Sequence, residues 1–154
     1  MQDEVITVAG DMNMPDLQRR FMSSRVGALP VVGRDSQLEG IVSRMDVLRR
    51  FSLEQSLAEL ADSDFDQTLG VEDDDDSLTA IGAEVGRRLS MIRAHDIMVT
   101  DVVTIGPEEP VEEAARRMLE RRIHRLPVVE QDRLVGIVSA FDFMQLFMSG
   151  ERSR

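Results

Sequence analysis

Leu29-Pro30-Val31-Val32, followed after a polar turn by Gly40-Ile41-Val42-Ser43-Arg44-Met45-Asp46, is the stretch that decides the fold of this chain. The same stretch recurs as Leu126-Pro127-Val128-Val129 followed by Gly136-Ile137-Val138-Ser139-Ala140-Phe141-Asp142, with a turn that is one residue shorter. Upstream of the stretch, Val5 falls on Val102, a shift of 97 positions that needs no gap. An internal repeat fixes the architecture before any single residue does. The chain is therefore a duplicated unit with an insert between its copies.

Each copy has the pattern β-α-β-β-α. In the first copy, apolar spacing and turn residues predict strands at residues 5–8, 28–32 and 38–42 and helices at 14–24 and 44–51. A sheet with helices on one face leaves its other face apolar, and two such units can bury these faces against each other. We therefore predict an α+β fold in which the two repeats pack sheet to sheet about a pseudo-two-fold axis.

The insert divides the chain into three parts. We place the first repeat at residues 1–51, a helical acidic insert at 52–93 and the second repeat at 94–149. Residues 61–77 are strongly acidic, so the insert is predicted to be two helices joined by a solvated acidic loop. The second repeat has a lead-in at residues 95–98 that the first lacks, and we expect residue 1 to be an internal position of a longer protein.

Composition excludes several classes of function. The net charge of −11 argues against nucleic acid as a partner. The absence of cysteine excludes disulfides and thiolate metal sites, and no apolar run reaches the roughly 20 residues that cross a bilayer. We expect a cytoplasmic protein without direct membrane insertion. All 18 basic residues are arginine, which suits local anion sites but is also what a coding bias towards arginine would produce.

The two motifs resemble those of the CBS domain, which is named after cystathionine β-synthase, and the pair resembles a Bateman module. The resemblance rests on Leu-Pro-Val-Val and Gly-Ile-Val-Ser-x-x-Asp, twice at matched spacing, and it covers the chain except the insert. It implies a regulatory module that binds an adenosine-type ligand (AMP, ADP, ATP, NAD or S-adenosylmethionine), with or without Mg²⁺, in clefts between the repeats. Binding would signal by a conformational change to a fused or separate effector protein.

The Ser-x-x-Asp pairs have two readings. Ser43 with Asp46, and Ser139 with Asp142, stand where a strand passes into a helix, and this spacing is close to a capping box. The free amides of a helix start also attract phosphate. The resemblance implies that the aspartate holds a ribose and that the serine lies near phosphate. The sequence leaves both readings open.

The resemblance also implies that each Ser-x-x-Asp faces the other repeat. It groups Ser43 and Asp46 with Thr104, Ile123, His124 and Arg125, and it groups Ser139 and Asp142 with Thr7, Val26, Gly27 and Ala28. Because His124 and Arg125 are donors at positions where the other cleft has Val26, Gly27 and Ala28, which supply none, we expect the first cleft to be the better phosphate site. Without a ligand, His124 would be a surface histidine and Arg125 would pair with an acid such as Glu130.

The sequence gives less information about the residues that would surround the adenine of such a ligand than about those near its ribose and phosphate. Leu29 and Leu126 either sandwich an adenine or belong to the core. We expect no aromatic residue to be placed where it could stack on the base.

Three other functions compete with ligand sensing. The end helices carry apolar residues that suit a homodimer: Leu48, Phe51, Phe143 and Phe147. The first alternative is therefore a dimerisation or scaffold module that binds no ligand. Divalent-cation sensing by the insert is a second alternative: Asp62, Asp64, Asp66 and Asp73 are spaced like calcium ligands, but Gln67 replaces the turn glycine and the final glutamate is missing. Enzyme activity is not expected, since the sequence shows neither a catalytic constellation nor a catalytic cofactor site.

Overall fold

The computed structural model describes residues 5–24, 26–69 and 75–149, and within these it describes the side chains outside residues 61–81 and 149. The fold is α+β and consists of two tandem repeats, as predicted. The elements of the first repeat are β1 (Val8–Ala9), α1 (Met14–Ser24), β2 (Ala28–Val32), β3 (Leu38–Ser43) and α2 (Arg44–Leu69). They are followed by α3 (Asp75–Met91), α4 (Ala94–Ile97), α5 (Val111–Arg121), β4 (Arg125–Glu130), β5 (Arg133–Ser139) and α6 (Ala140–Ser149).

The registers of the two sheets show the duplication directly. In the first sheet, β1 pairs in parallel with β2 through Val8 and Val31, and β2 pairs antiparallel with β3. In the second repeat, a parallel bridge joins Ile105 to Val128, the residues 97 positions after Val8 and Val31. The strand predicted at residues 5–8 is shorter than expected, because only Val8 and Ala9 pair with β2.

Helix α2 is longer than the sequence predicted. It runs for 26 residues, through the stretch where we expected an acidic loop to begin. No glycine or proline occurs between Gly40 and Gly70, so nothing in that sequence interrupts a helix that has started. Asp62, Asp64 and Asp66 therefore lie on helical backbone and not in a calcium-type loop, while Asp73 lies outside the described residues.

Each repeat has its own core. The first is built around Leu29, Val31 and Val42, and the second around Leu126 and Val128. Leu29 and Leu126 are fully buried, so they are core residues and do not sandwich a base. Fully burying a leucine stabilises the fold by about 2 kcal/mol.

The lead-in to the second repeat packs on the first repeat. The amide of Met14 donates to the carbonyl of Ile92 (3.1 Å), and Ile41 and Val99 exchange two hydrogen bonds of 2.9 and 2.8 Å. Ala94 belongs to the first core. The lead-in therefore ties the two repeats together.

A second tie joins the two hairpin turns, where the amide of Leu38 donates to the carbonyl of Asp132 (3.1 Å). Gln37 and Arg133 form an antiparallel bridge beside it. Among the residues that the structure describes, no helix has the length and hydropathy needed to cross a membrane.

Candidate ligand cleft between the repeats

Both Ser-x-x-Asp pairs form reciprocal helix caps. The amide and hydroxyl of Ser43 donate to Oδ2 of Asp46 (2.8 and 2.6 Å), and the amide of Asp46 donates back to Oγ of Ser43 (3.2 Å). Ser139 and Asp142 repeat this geometry at 2.7, 2.7 and 3.4 Å. The capping interpretation is therefore correct for both pairs. It does not compete with ligand binding, because the cap holds each carboxylate in one orientation and a carboxylate accepts several hydrogen bonds.

A cavity of about 340 Å³ lies at the second of these caps, and both repeats supply its walls. The first repeat contributes Val5, Ile6, Val26 and Ala28, and the second contributes Arg125, Ile137, Ser139, Phe141, Asp142 and Gln145. This volume falls within the range of small-molecule sites in proteins. The structure thus brings Ser139 and Asp142 together with Val26 and Ala28. Thr7 and Gly27, which we grouped with them, are not among the lining residues.

Arg125 lines this cavity, although we expected it beside Ser43 and Asp46. The register of the second hairpin explains its position, because Arg125 pairs with Ser139 and cross-strand partners have their side chains on one face. Ala28, the equivalent of Arg125 in the first repeat, lines the same cavity. Because Ala28 and Arg125 are equivalent residues that line one cavity, they lie near the pseudo-two-fold axis. Arg125 therefore adds a donor that Val26, Gly27 and Ala28 do not supply, and which cleft is the better phosphate site stays a prediction.

The pKa of Asp142 lies below its ordinary value of 3.8. Burial acts to raise it, but the hydrogen bonds from the Ser139 hydroxyl and amide and the positive charge of Arg125 outweigh the burial. Asp142 is consequently ionised at neutral pH. The cleft combines an oriented carboxylate with a guanidinium, a pair that suits a ligand carrying both hydroxyl groups and an anionic group.

Phe141 is a lining residue that the sequence analysis missed. It stands directly before Asp142 in the first turn of α6, and its side chain is largely exposed. An aromatic ring at the mouth of the cavity can stack on a planar base. The available signal was its place inside the Ser-x-x-Asp motif, where the first repeat has Met45.

The grouping expected around Ser43 and Asp46 stays a prediction. Thr104 is half-buried, and its carbonyl accepts a hydrogen bond from Nη1 of Arg117 (2.6 Å). Ile123 packs on the second core. Within the described part of the chain, no hydrogen bond or ion pair joins Ser43 or Asp46 to these residues.

His124 has an exposed side chain, and its carbonyl accepts from the amide of Ala140 (2.9 Å), in its own repeat. Its place beside the first cleft is therefore also untested. No group of three or more His, Asp or Glu residues suited to a metal occurs in the described ranges. The side chains of Asp62, Asp64, Asp66 and Asp73 are not among those that the structure describes.

Comparison with protein families and relatives gives a consistent result. A family model described as CBS domain matches residues 1–53 and 94–149. The chain is 28% identical over 149 residues to the uncharacterized protein MJ1225 of Methanocaldococcus jannaschii. That alignment covers 97% of this chain and 41% of the relative, so the chain spans less than half of that protein's length.

Solved structures agree on the fold. The crystal structure of CBSX2 in complex with AMP has a TM-score of 0.69 at 22% identity and covers 99% of this chain and 95% of that one. The CBS domain pair of protein MJ0100, in complex with 5-methylthioadenosine and S-adenosyl-L-methionine, has a TM-score of 0.64 at 20% identity, with coverages of 98% and 94%. Similarity at this level of identity establishes the fold and no more.

Proposed function

The chain belongs to the CBS domain family, with one domain in each repeat, and from this premise we propose that it is a regulatory module that binds an adenosine-type ligand in the cleft of Ser139, Asp142 and Arg125. The observation that carries the proposal is the cavity at the seam, where a carboxylate fixed by a helix cap and an arginine lie in walls supplied by both repeats. The AMP and S-adenosylmethionine complexes of similar CBS proteins support the choice of ligand class.

Each part of such a ligand has a counterpart in the cleft. The Asp142 carboxylate can accept hydrogen bonds from the two hydroxyls of a ribose, and Ser139 holds that carboxylate in place. Arg125 can bind a phosphate or a carboxylate through two parallel hydrogen bonds. The apolar walls, with Val26, Ile137 and Phe141, suit a purine. AMP, ADP, ATP, NAD and S-adenosylmethionine all share these parts, and a triphosphate would bring Mg²⁺ with it.

A regulatory role follows because both repeats supply the walls of the cavity. A ligand held by residues of both repeats binds one relative arrangement of the repeats better than others, and only such a difference in affinity can shift the conformation. We infer that the shift is read by an effector protein, either fused to this chain or separate, in the cytoplasm. A homodimer formed through the helices is part of this proposal.

The experiment is a thermal-shift and calorimetric titration of the chain with the five ligands. We expect at least one ligand to raise the melting temperature, and Asp142→Ala to abolish that rise. Exposed Asp101→Ala is the control and should keep the rise, while Asp46→Ala tests the cleft predicted at the other cap. If none of the ligands raises the melting temperature, the sensor proposal fails.

Arg125→Met tests the contact with the anionic group of the ligand in the same titration. We expect it to weaken a phosphate ligand by roughly tenfold to a hundredfold, since a hydrogen bond to a charged group contributes about 1.5–3 kcal/mol. Arg133→Met, at the exposed far end of the second hairpin, should leave the affinity unchanged. Equal weakening by both variants would mean that Arg125 does not contact the anionic group.

A second candidate function is a ligand-free dimerisation or scaffold module. The observation in its favour is the number of large apolar side chains exposed on α2 and α6, such as Leu48, Met144 and Phe147. A stable dimer whose melting temperature does not respond to any of the five ligands would favour this function.

A further inference from the structure

Helix α2 carries a row of exposed leucines in the part that belongs to the insert. Leu53, Leu57 and Leu60 are 48%, 42% and 63% exposed, and their spacing of four and three residues places them on one side of the helix. The face of α2 that packs on α3 is a different one: Glu54 and Ala58 are buried there, and Glu54 lies 4.0 Å from an arginine of α3. A carboxylate is thus on the packed face and the leucines are on the exposed face. Single exposed leucines are common, but a row of them marks an interaction site.

The charge of the chain is concentrated around this row. Residues 51–86 contain 11 of the 29 acidic residues and none of the 18 arginines. The remaining 18 acidic residues balance the 18 arginines, so the whole net charge of −11 belongs to this one segment. The leucine row therefore lies in the negative part of an otherwise electrically balanced chain.

We propose that the leucine row is the docking site for a basic amphipathic helix of the effector protein. A row with this spacing is matched by the apolar side of a second helix, and the surrounding acidic segment attracts a partner of positive charge. The inference rests on the effector in the proposed function and adds the surface on which that effector docks.

The same charge disfavours the other occupants of an exposed apolar row. A second copy of this chain would bring another 11 acidic residues of its own insert to the contact, and like charges across an interface select against a partner. An anionic membrane surface and a nucleic acid are repelled for the same reason. A cationic protein segment is the partner that both the leucines and the charge fit.

The row also lies close to the cap at the start of α2. Asp46, which accepts hydrogen bonds from the amide and hydroxyl of Ser43, is seven residues before Leu53 and on the same side of the helix. Seven residues of an α-helix span about 10 Å. A helix docked on the row would therefore sit beside the cleft predicted at that cap, where it could respond to an occupied cleft.

The test uses a designed peptide as the probe. The peptide is a fluorescent helix of about 18 residues made of leucine and lysine, with the leucines spaced four and three residues apart. Its binding to the full chain is measured by fluorescence anisotropy without nucleotide, and we expect a dissociation constant in the micromolar range. A peptide with glutamate in place of lysine, and one of the same composition with alternating leucines, should bind at least about tenfold more weakly. No binding of the probe at about 100 µM overturns the proposal.

The double variant Leu53→Gln/Leu57→Gln tests whether the peptide docks on the row. Both side chains are about half exposed, so the variant should keep its melting temperature, and the dissociation constant should rise at least about tenfold, as on loss of an interface anchor. Leu119→Gln is the matched control, because it makes the same change at a more exposed leucine of α5, outside the insert, and should leave the affinity unchanged.

Two results with these variants overturn the proposal. An unchanged dissociation constant in the double variant would mean that the peptide is held by charge alone, and equal weakening by Leu119→Gln would mean that it has no preference for the insert. The ligand-induced rise in melting temperature is measured in the absence of the peptide. The docking site and the ligand cleft can therefore fail separately.

Discussion

At the scale of single residues, Asp142 shows how one carboxylate serves two purposes. It caps α6 through the amide and hydroxyl of Ser139, and it lines a cavity between the repeats. The hydrogen bonds that stabilise the helix start also fix the orientation of the carboxylate in the cavity. In the proposed function, the geometry that caps the helix also presents the carboxylate to the ligand.

The lowered pKa of Asp142 predicts a particular dependence of stability on pH. Folding lowers this pKa below 3.8, so the ionised group stabilises the fold above that value and the contribution disappears as the pH falls through the folded-state pKa. Asp142→Asn should lower the free energy of unfolding by about 1 kcal/mol at pH 7, the typical value of a cap. Urea titrations from pH 7 to pH 2 should show that difference shrinking only in the acid range. Exposed Asp101→Asn is the control, and a difference that is constant down to pH 2 would contradict the prediction.

At the scale of elements, an ion-pair network fixes the base of the insert. Glu54 on α2 is only 5% exposed and is the buried charged residue of the described core. It bonds Arg50 at 2.8 Å and faces Arg88 of α3 at 4.0 Å. Arg88 in turn bonds Glu84 at 2.7 Å, and hydrogen bonds from Arg87 and Arg88 lower the pKa of Glu84 to about 2. The network therefore joins α2 to α3.

Removing one partner from this network should be destabilising. Arg50→Met leaves the buried Glu54 carboxylate with only the more distant Arg88, and we expect a loss of about 2 kcal/mol in the free energy of unfolding. Arg49→Met is the matched control: the Arg49 side chain is 76% exposed and its pair with Asp46 is 3.9 Å long, and pairs at the surface contribute at most about 1 kcal/mol. Urea denaturation measures both. Equal losses for the two variants would show that burial of Glu54 is not the cause.

At the scale of the whole molecule, a segment that follows the insert in sequence packs on the first repeat. Residues 94–99 begin the second repeat in sequence, yet they pair with β3 and place Ala94 in the first core. The first repeat is therefore completed by residues that follow the insert. Neither repeat is a self-contained unit, which is consistent with a cleft whose walls come from both.

Gly40 is where this crossed packing can be tested. A Cβ at Gly40 would lie 2.7 Å from Sδ of Met98 and 2.9 Å from the carbonyl oxygen of Val99, and the backbone atom cannot move aside easily. Gly40→Ala should therefore lower the free energy of unfolding by about 1–3 kcal/mol. Gly27→Ala, whose Cβ would meet nothing within 4 Å, should stay within about 0.5 kcal/mol of the unmodified chain. Thermal or urea unfolding of the two variants decides the matter, and a neutral Gly40→Ala would show that the lead-in is not packed there.

The sequence predicted which helices and strands occur better than it predicted where they begin and end. The repeat and its hairpins follow from apolar spacing and turn residues, which are local properties, and the structure has them. The end of α2 was wrong because acidic composition was taken to indicate a loop, whereas a helix continues until a residue stops it. β1 was placed too early because its limits depend on pairing with β2, a contact that the local pattern does not contain.

By itself, the sequence determined that this chain is a duplicated α+β unit, that Ser139 and Asp142 stand where a strand passes into a helix, and that it resembles the CBS pairs, because repeats and strand patterns depend on residues close together in the chain. Only the tertiary structure decided that Arg125 and Phe141 share a cavity with Asp142 and Ala28, and that the lead-in completes the first core. Those outcomes depend on strand register and on the position of the pseudo-two-fold axis. Both are set by contacts between residues far apart in the chain, and spacing along the sequence carries no measure of them.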